Sequence, residues 1–423
     1  MLEFSPLLVV SDGHGRVFEL EQYQALGISG ENVVEIPPDE WIPLPEGSQL
    51  MELPGRLPVG KDRRSSEVAT LTENGAGKLL AVAAFVAPAY TIFYHAAWEK
   101  LPRARRLSLF AYSAVGWFDG RFYVPAVRID PDIRQDPPNF NQAEIARSAQ
   151  RQLKLFPHNR LVAHLVNNCA LTYGCPAALN YLLNRWEMPL PTARTCNSAC
   201  LGCISLQRNS GVCSAQHRIN FTPTVAEIVE IAVPHLDTAP NPVVSFGQGC
   251  EGEPLMNPQL LYQAIEGIRQ KTARGTINLN SNASRPEVII KLIEAGLDSL
   301  RVSLNSARPQ FYTRYFRPRN YTFDAVLESI RLMKNANRFV SINYFTFPGF
   351  SDQQILDFFE VAKSVEVEIP TLLESDLSHA KIIKCLGWTG FKEYLKVTVG
   401  TDFLDGEDIV ALVNAVGYLD DIE

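Results

Sequence analysis

At 423 residues the chain is long enough for two or three domains with an ample core. Lys and Arg total 39 against 46 Asp and Glu, and this net charge of −7 has the wrong sign for the basic footprint of a nucleic-acid binder. With 46 % apolar and 20 % charged residues, the composition is that of a globular protein and excludes a disordered or collagen-like chain.

The chain starts Met1-Leu2-Glu3-Phe4-Ser5-Pro6, with an acid where a signal peptide needs basic residues and no apolar run after it, so a cytoplasmic location is expected. Residues 7–10 and 16–20 flank the polar Asp12-Gly13-His14-Gly15, a pattern that predicts a hairpin. Asp12-x-His14 has metal-ligating residue types, but no further ligand follows at useful spacing, and the turn is the better reading. Prolines cluster from Pro37 to Pro58. The uncharged stretch 79–98 is nominally long enough to span a bilayer. It is Ala-rich, broken by Pro88 and carries Thr91, Tyr94 and His95, so two buried strands around Ala87-Pro88-Ala89 are predicted instead. Arg103, Arg105 and Arg106 read as a solvated patch. With the aromatic strand 117–127, residues 1–140 form a predicted β-rich N-terminal domain. Residues 142–155 and 160–186 look helical, giving a connector over 141–187.

From Met188 onward strand and helix signals alternate. Strands are predicted at 243–246, 276–280, 299–305, 339–345 and 366–369. Thr224-Val225-Ala226-Glu227, Ser284-Arg285-Pro286-Glu287 and Ser351-Asp352-Gln353-Gln354 between them have the spacing of capping boxes. A repeat of this kind predicts βαβ units with a parallel sheet over 188–375. Residues 376–423, with a strand-like run from Tyr394, add one more strand and helix.

Eight cysteines in a long chain without an export signal do not suggest disulfides. Three of them form Cys196-Asn197-Ser198-Ala199-Cys200-Leu201-Gly202-Cys203, a C-x3-C-x2-C loop directly after a predicted strand. Three thiolates so close can wrap one [4Fe–4S] cube and leave one iron open for a substrate or cofactor. The alternative is a zinc site whose fourth ligand is Cys213 or His217.

Further along, in order, come Phe246-Gly247-Gln248-Gly249-Cys250-Glu251-Gly252-Glu253-Pro254, Leu279-Asn280-Ser281-Asn282-Ala283, Arg301-Val302-Ser303-Leu304-Asn305-Ser306 and Phe347-Pro348-Gly349-Phe350-Ser351-Asp352. With the cysteine loop, this order resembles the radical S-adenosylmethionine (radical SAM) superfamily over roughly 188–370. The resemblance implies an α/β fold, a partial (β/α)6 barrel preceded by the β-rich N-terminal domain. It implies a [4Fe–4S] cluster on Cys196, Cys200 and Cys203, and S-adenosylmethionine (SAM) on its open iron. The segment Glu251-Gly252-Glu253 would bind the SAM amino group through backbone and carboxylate oxygens. Asn280, Asn282, Ser303 and Asn305 would contact its carboxylate or ribose, with Asn343 and Arg317 as further candidates. Two positions depart from the family pattern. Gly202 stands where an aromatic residue usually precedes the third cysteine, leaving Phe347 to pack the adenine, and Glu251 stands in place of the first glycine of G-G-E-P.

Alternation along strands supports the resemblance independently. Arg301, Ser303 and Asn305 share one face, as do Asn278, Asn280 and Asn282, and Ser341 and Asn343. A closed barrel is normally filled by Val, Ile and Leu, so polar columns on three neighbouring strands imply an open interior with a polar ligand. The remaining cysteines are predicted to hold no cluster. Cys169 and Cys175, six apart on a regular helix, would point about 120° from each other. Cys250 sits in the SAM-amine loop, and Cys213 reads as a small buried or capped thiol.

By this resemblance a reduced cluster cleaves SAM to methionine and a 5′-deoxyadenosyl radical, which abstracts hydrogen from a small molecule or a peptide. A flavodoxin- or ferredoxin-like protein would donate the electron, and neither membrane nor nucleic acid would be a partner. The competing readings are a non-catalytic iron–sulfur protein that carries electrons or senses redox state, and a zinc-stabilised structural protein.

Overall fold

The structure, a computed structural model, describes residues 4–344 apart from 30–31, 75–76, 109, 129–132 and 208–211. Phe347, the predicted strand at 366–369, the predicted cap at Ser351 and the extension 376–423 lie outside the described residues.

Strands dominate up to Arg128. Leu7–Ser11 and Val17–Ala25 form the antiparallel hairpin expected around Asp12, with Val10 opposite Phe18. Asp12 organises the turn, accepting the His14 N–H at 2.8 Å and the Arg16 N–H at 3.3 Å. The His14 amide beside it holds its carboxyl below the usual range. Leu80–Phe85 and Tyr90–Ile92 flank Ala87-Pro88-Ala89 as predicted, the first pairing with Gln49–Glu52 and the second with Arg121–Arg128. Arg103, Arg105 and Arg106 are exposed. Among the described residues no helix is long and apolar enough to cross a membrane.

The connector begins with α1 (Gln142–Leu155), where Asn141 caps the Glu144 N–H at 3.0 Å. It does not continue as the single long helix expected over 160–186. A short α2 (Arg160–His164) passes into a π-helical turn at Leu165–Ala170, and α3 (Pro176–Leu182) starts afresh. Gly174 supplies the positive φ of 60° that lets the chain turn between them.

Next comes a five-stranded parallel sheet in sequential order: β1 (Glu187–Leu190), β2 (Val243–Phe246), β3 (Thr276–Ser281), β4 (Ser299–Leu304) and β5 (Phe339–Tyr344). The links are α4 (Val225–Thr238), α5 (Pro258–Arg269), α6 (Pro286–Ala295), and α7 (Pro309–Phe316) with α8 (Phe323–Asn335). Parallel neighbours need crossovers of this length, and apolar strand residues are what the helices cover. Met188, Val244, Ile277, Leu279, Leu300, Val302, Leu304 and Ile342 share one core with the inner faces of the helices and with the connector.

The capping box at Thr224 forms in full, Thr224 taking the Glu227 N–H and Glu227 taking the Thr224 N–H. The one predicted at Ser284 does not. Arg285 occupies that N-cap without a side-chain bond, while the Ser284 hydroxyl accepts the Asn197 amide at 2.8 Å. Proline at the first position of α6 removes one orphan N–H, so the helix starts without the cap.

Candidate functional site

The cysteine loop leaves the C-terminal end of β1 and is held along both edges. On one side the Gly252 N–H donates to Ala193 O at 2.7 Å and the Glu253 N–H to Thr195 O at 2.8 Å. On the other, the Ala199 and Leu201 amides donate to Phe316 and Tyr315 at the end of α7, and Arg319 N–H donates to Asn197 O. Asn282 spans the mouth, its amide donating to Asn197 Oδ1 at 2.8 Å and Ser198 Oγ at 3.1 Å. Ser198 in turn pairs with the Tyr321 hydroxyl at 2.8 Å. So pinned, the loop presents three half-buried thiols at one place.

The thiols interact electrostatically. Burial pushes Cys196 up to about 11, with Glu253 adding to it, and Cys200 is raised by burial and by its two neighbours. Thiols held protonated in this way become ligands only when a metal displaces their protons. Arg218 donates to Cys203 Sγ at 3.5 Å and brings a positive charge to the group. The triplet does not gather as ligands of a single ion would. Among the described residues, the one set of His, Cys and acidic ligand atoms within 4.8 Å of one another is elsewhere in the chain. Neither proposed fourth zinc ligand joins the cysteines. His217 is exposed and pairs with the Tyr173 hydroxyl, and Cys213, predicted as buried or capped, is exposed. Three thiols, wider than one ion requires and with no fourth protein ligand among the described residues, fit a [4Fe–4S] cube with an open iron.

The loop after β2 carries two buried acids, and both turn inward. Glu251 Oε1 accepts the N–H groups of Gly247 at 2.9 Å and Gln248 at 2.7 Å. Its Oε2 accepts those of Thr192 at 2.6 Å and Ala193 at 2.7 Å. Burial nevertheless pushes this carboxyl up to about 7. Glu253 accepts Ser281 Oγ at 2.6 Å and the N–H groups of Leu255 and Asn282. Both carboxylates expected at a ligand ammonium thus take hydrogen bonds from the protein's own backbone, and Glu253 from Ser281 as well. They lock the loop to β3 and to the segment between β1 and the cysteines, and the Glu251 and Glu253 carbonyls are themselves taken by Ser205 Oγ at 2.9 Å and the Met256 N–H at 3.0 Å. Two glycines make the packing possible. A Cβ on Gly252 would stand 2.1 Å from Thr195 O, and one on Gly247, whose φ is +80°, 1.7 Å from Asn280 O.

The polar strand faces meet as predicted. Glu187 on β1 lies near Arg301 on β4 and Ser245 on β2, burial raising its carboxyl while Arg301 opposes the rise. Asn278 donates to Asn280 Oδ1 at 2.9 Å, and Asn280 donates to Gly247 O at 3.0 Å. Arg301 Nε, Asn305 Oδ1 and Asn343 Oδ1 are buried without partners, and Ser303 beside them is half-buried. Orphaned buried polar atoms are rare in a finished core and mark places where a polar ligand supplies the missing bonds. They fit SAM.

The structure thus divides the predicted residues. Asn305 and Asn343 each carry a buried side-chain oxygen without a partner, and Ser303 is half-buried on β4. Asn280, Asn282, Glu251, Gly252 and Glu253 build the loop after β2 and its contacts with β3 and the cysteine segment, and Arg317 is an exposed αL cap at the end of α7. Sequence reasoning missed Asn197, Ser198, Arg218, Glu187 and Tyr321. Of these, only the position of Asn197 and Ser198 inside the cysteine loop could have marked them. It also missed Tyr315, which is buried against Cys200 and Cys203 and takes the Gly202 N–H on its hydroxyl.

A parallel α/β sheet with a cysteine triplet at the end of its first strand defines a class of cluster-binding fold. Residues 190–362 match the Radical SAM superfamily family model. The superfamily's cofactors are a [4Fe–4S] cluster and SAM. No curated protein matches the chain. Among solved structures, anSMEcpe with AdoMet bound is 16 % identical, covering 42 % of this chain and 48 % of its own, at a TM-score of 0.32. Streptococcus suis SuiB bound to its precursor peptide SuiA is 15 % identical, covering 45 % and 41 %, at 0.33. Methylornithine synthase PylB is 15 % identical, covering 66 % and 77 %, at 0.35. The chain spans less than half the length of the first two, and scores this low carry no weight for function.

Proposed function

We propose that this chain is a radical SAM enzyme in which Cys196, Cys200 and Cys203 hold a [4Fe–4S] cluster and SAM lies along the polar faces of β2 to β5, curled into a partial (β/α)6 barrel. Reduced, and with SAM on its open iron, such a cluster supplies a 5′-deoxyadenosyl radical that takes a hydrogen atom from substrate. What supports the reading most is a set of three half-buried thiols on one loop that interact electrostatically, together with buried polar atoms on and just after β4 and on β5 that lack partners.

The protein's part is orientation and exclusion. Asn282, Ser198 and Tyr321 hold the cysteine loop against α7, so the three thiols keep their spacing. Glu253 ties the loop after β2 to β3 through Ser281 and Asn282, and backbone and carboxylate oxygens of 251–253 would accept the ammonium group. Ser303, Asn305 and Asn343 offer hydrogen bonds to the carboxylate and ribose. The apolar layer of Leu279, Leu300 and Leu304 behind them keeps water from the far side of the sheet. A flavodoxin- or ferredoxin-like donor would supply the electron, and a small molecule is favoured over a peptide as substrate.

The test is anaerobic reconstitution of the full chain, reduction with dithionite and addition of SAM. The expected products are 5′-deoxyadenosine and methionine, and incubation with deuterated cell-extract fractions should move deuterium into the deoxyadenosine. An intact, reduced cluster that yields no deoxyadenosine would favour the electron-carrier reading.

A further inference from the structure

A second group of metal-ligating side chains lies in the core, where the connector meets the loop after β2. Cys169 Sγ stands 3.7 Å from Cys250 Sγ, and a ring nitrogen of His164 lies within 4.8 Å of both. All three residues are buried. We propose that His164, Cys169 and Cys250, completed by Cys175, form a structural zinc site separate from the Cys196–Cys200–Cys203 triplet.

The π-helical turn makes this possible. In an α-helix, residues five apart are separated by about 500°, so His164 and Cys169 would diverge by about 140°. Leu165–Ala170 closes instead on i+5 hydrogen bonds, such as Leu171 N–H to Val166 O at 3.0 Å. Residues five apart therefore stack, and His164 and Cys169 face one side. This winding also removes the premise that set Cys169 and Cys175 apart. The Cys175 N–H donates to Cys169 O at 2.8 Å, which brings its backbone to the group; its thiol stands outside the 4.8 Å set and would have to turn in to become the fourth ligand. Cys250 arrives from the far side of the core, and its side chain packs into the apolar cluster shared by the connector and the sheet.

The spacing selects the ligand. Zinc–sulfur bonds of about 2.3 Å at tetrahedral angles put two thiolates about 3.8 Å apart, and a thiolate and an imidazole nitrogen about 3.6 Å apart. The sulfurs here are already at 3.7 Å. Thiolates that each bind a different iron of a cube stand farther apart, so one ion fits and a second cube does not.

The histidine provides an independent sign. Its Nδ1 meets the Asn168 side-chain amide at 3.0 Å, while Nε2 is buried with no hydrogen-bond partner, on a residue only 7 % exposed. A neutral ring that binds zinc through Nε2 carries its proton on Nδ1, and Asn168 accepts it once its amide is turned to present the oxygen. A Cys3His set is a usual tetrahedral zinc shell, and here it would fasten the connector to the loop that carries Glu251 and Glu253.

Full-length protein purified anaerobically and counted for metals should hold about one zinc per chain in addition to the cluster iron. Cys169→Ser and Cys175→Ser should each lose that zinc and keep the iron. Asn168→Ala should retain the fold and weaken zinc binding roughly 10- to 100-fold. Should the cysteine variants fail to fold, cobalt in place of zinc in the unmutated chain should show intense thiolate-to-cobalt charge transfer and tetrahedral d–d bands. Protein without zinc that also gives no such bands with cobalt overturns the proposal. Loss of iron rather than zinc from Cys169→Ser overturns it too, as does unaltered zinc affinity in Cys175→Ser.

Discussion

Replacing Gly252 with alanine tests whether the loop after β2 sets the position of the cluster cysteines. The added Cβ would stand 2.1 Å from Thr195 O, 2.6 Å from Thr195 C and 3.1 Å from Thr195 N, where ordinary contact begins at 3.4 Å. The nearest shortfall is about 1.3 Å, and the obstacle is backbone, which cannot swing aside as a side-chain end can. Thr195 immediately precedes Cys196, and metal sites tolerate ligand displacements of only about 0.2 Å. Moving the two strands apart also strains the Gly252 N–H bond to Ala193 O and the Glu253 N–H bond to Thr195 O, at 2.7 and 2.8 Å. Overpacking at about 1–3 kcal/mol and two weakened hydrogen bonds at about 0.5–1.5 kcal/mol each leave a domain of ordinary stability folded. Gly252→Ala should therefore keep its circular dichroism, melt several degrees lower and retain little iron after anaerobic reconstitution. Gly249→Ala is the control, since the one atom its Cβ would crowd is Ile204 Cδ1, at 2.5 Å, the far end of a flexible side chain, while Gln216 Oε1 at 3.5 Å and Ile204 Cγ1 at 3.7 Å are ordinary contacts. The reasoning is refuted if Gly252→Ala binds as much iron as the unmutated chain, or if the two variants behave alike.

Ser303→Ala removes one neutral hydrogen bond worth about 0.5–1.5 kcal/mol, so SAM affinity by equilibrium dialysis should fall roughly three- to tenfold with iron content unchanged. Unchanged affinity would remove Ser303 from the ligand face. Glu227 is held at about 2, chiefly by its hydrogen bonds from Arg160, so its stabilising contribution is complete above about pH 4.5 and is lost as pH falls toward 2. The stability gap between the unmutated chain and Glu227→Gln should therefore be widest near neutrality and close across that window, and a constant gap in urea titrations contradicts it. His235 is buried at the end of α4 with Nδ1 unpartnered, and burial lowers it to about 4. The fold keeps it neutral, so stability is whole above about pH 6.5 and falls as pH drops toward 4, and His235→Gln should flatten the profile between those values.

The parallel sheet was legible because each strand is an apolar run with a polar alternate face, and because helix starts such as Thr224-x-x-Glu227 punctuate it. The hairpin at Asp12 was legible for a similar reason, a short polar turn between alternating runs. Ser284 had the same cap spacing as Thr224 and failed, since its hydroxyl was claimed by Asn197, 87 residues earlier in the chain. The π-helical turn left no mark in the sequence. Leu165-Val166-Asn167-Asn168-Cys169-Ala170 has ordinary helical composition, and the contact its winding accompanies, Cys169 with Cys250, lies 81 residues away. The inward turn of Glu251 and Glu253 was equally hidden, because a glutamate in a glycine-rich loop reads the same whether it faces a ligand or its own backbone.

The two departures from the family pattern have structural answers in this chain. Where Gly202 gives up an aromatic side chain inside the cysteine loop, α7 places Tyr315 against the same loop, with its hydroxyl on the Gly202 N–H and its ring buried beside Cys200 and Cys203. The apolar wall is then provided from a neighbouring helix, and the Leu201 N–H bond to Tyr315 O at 3.1 Å ties that helix to the loop. Where Glu251 replaces a glycine, its carboxylate gathers four backbone N–H groups, two from its own loop and two from the segment after β1. A glycine there could pack closely but could accept nothing, leaving those four donors to be satisfied separately. The two replacements brace opposite edges of the cysteine loop, Tyr315 from α7 and Glu251 at the joint between the end of β1 and the loop after β2. Cys250, one residue before Glu251, reaches from that joint back to the connector. The cysteine loop is therefore braced by α7 on one edge and by a loop that is itself anchored on the other, which holds the segment that carries the three thiols.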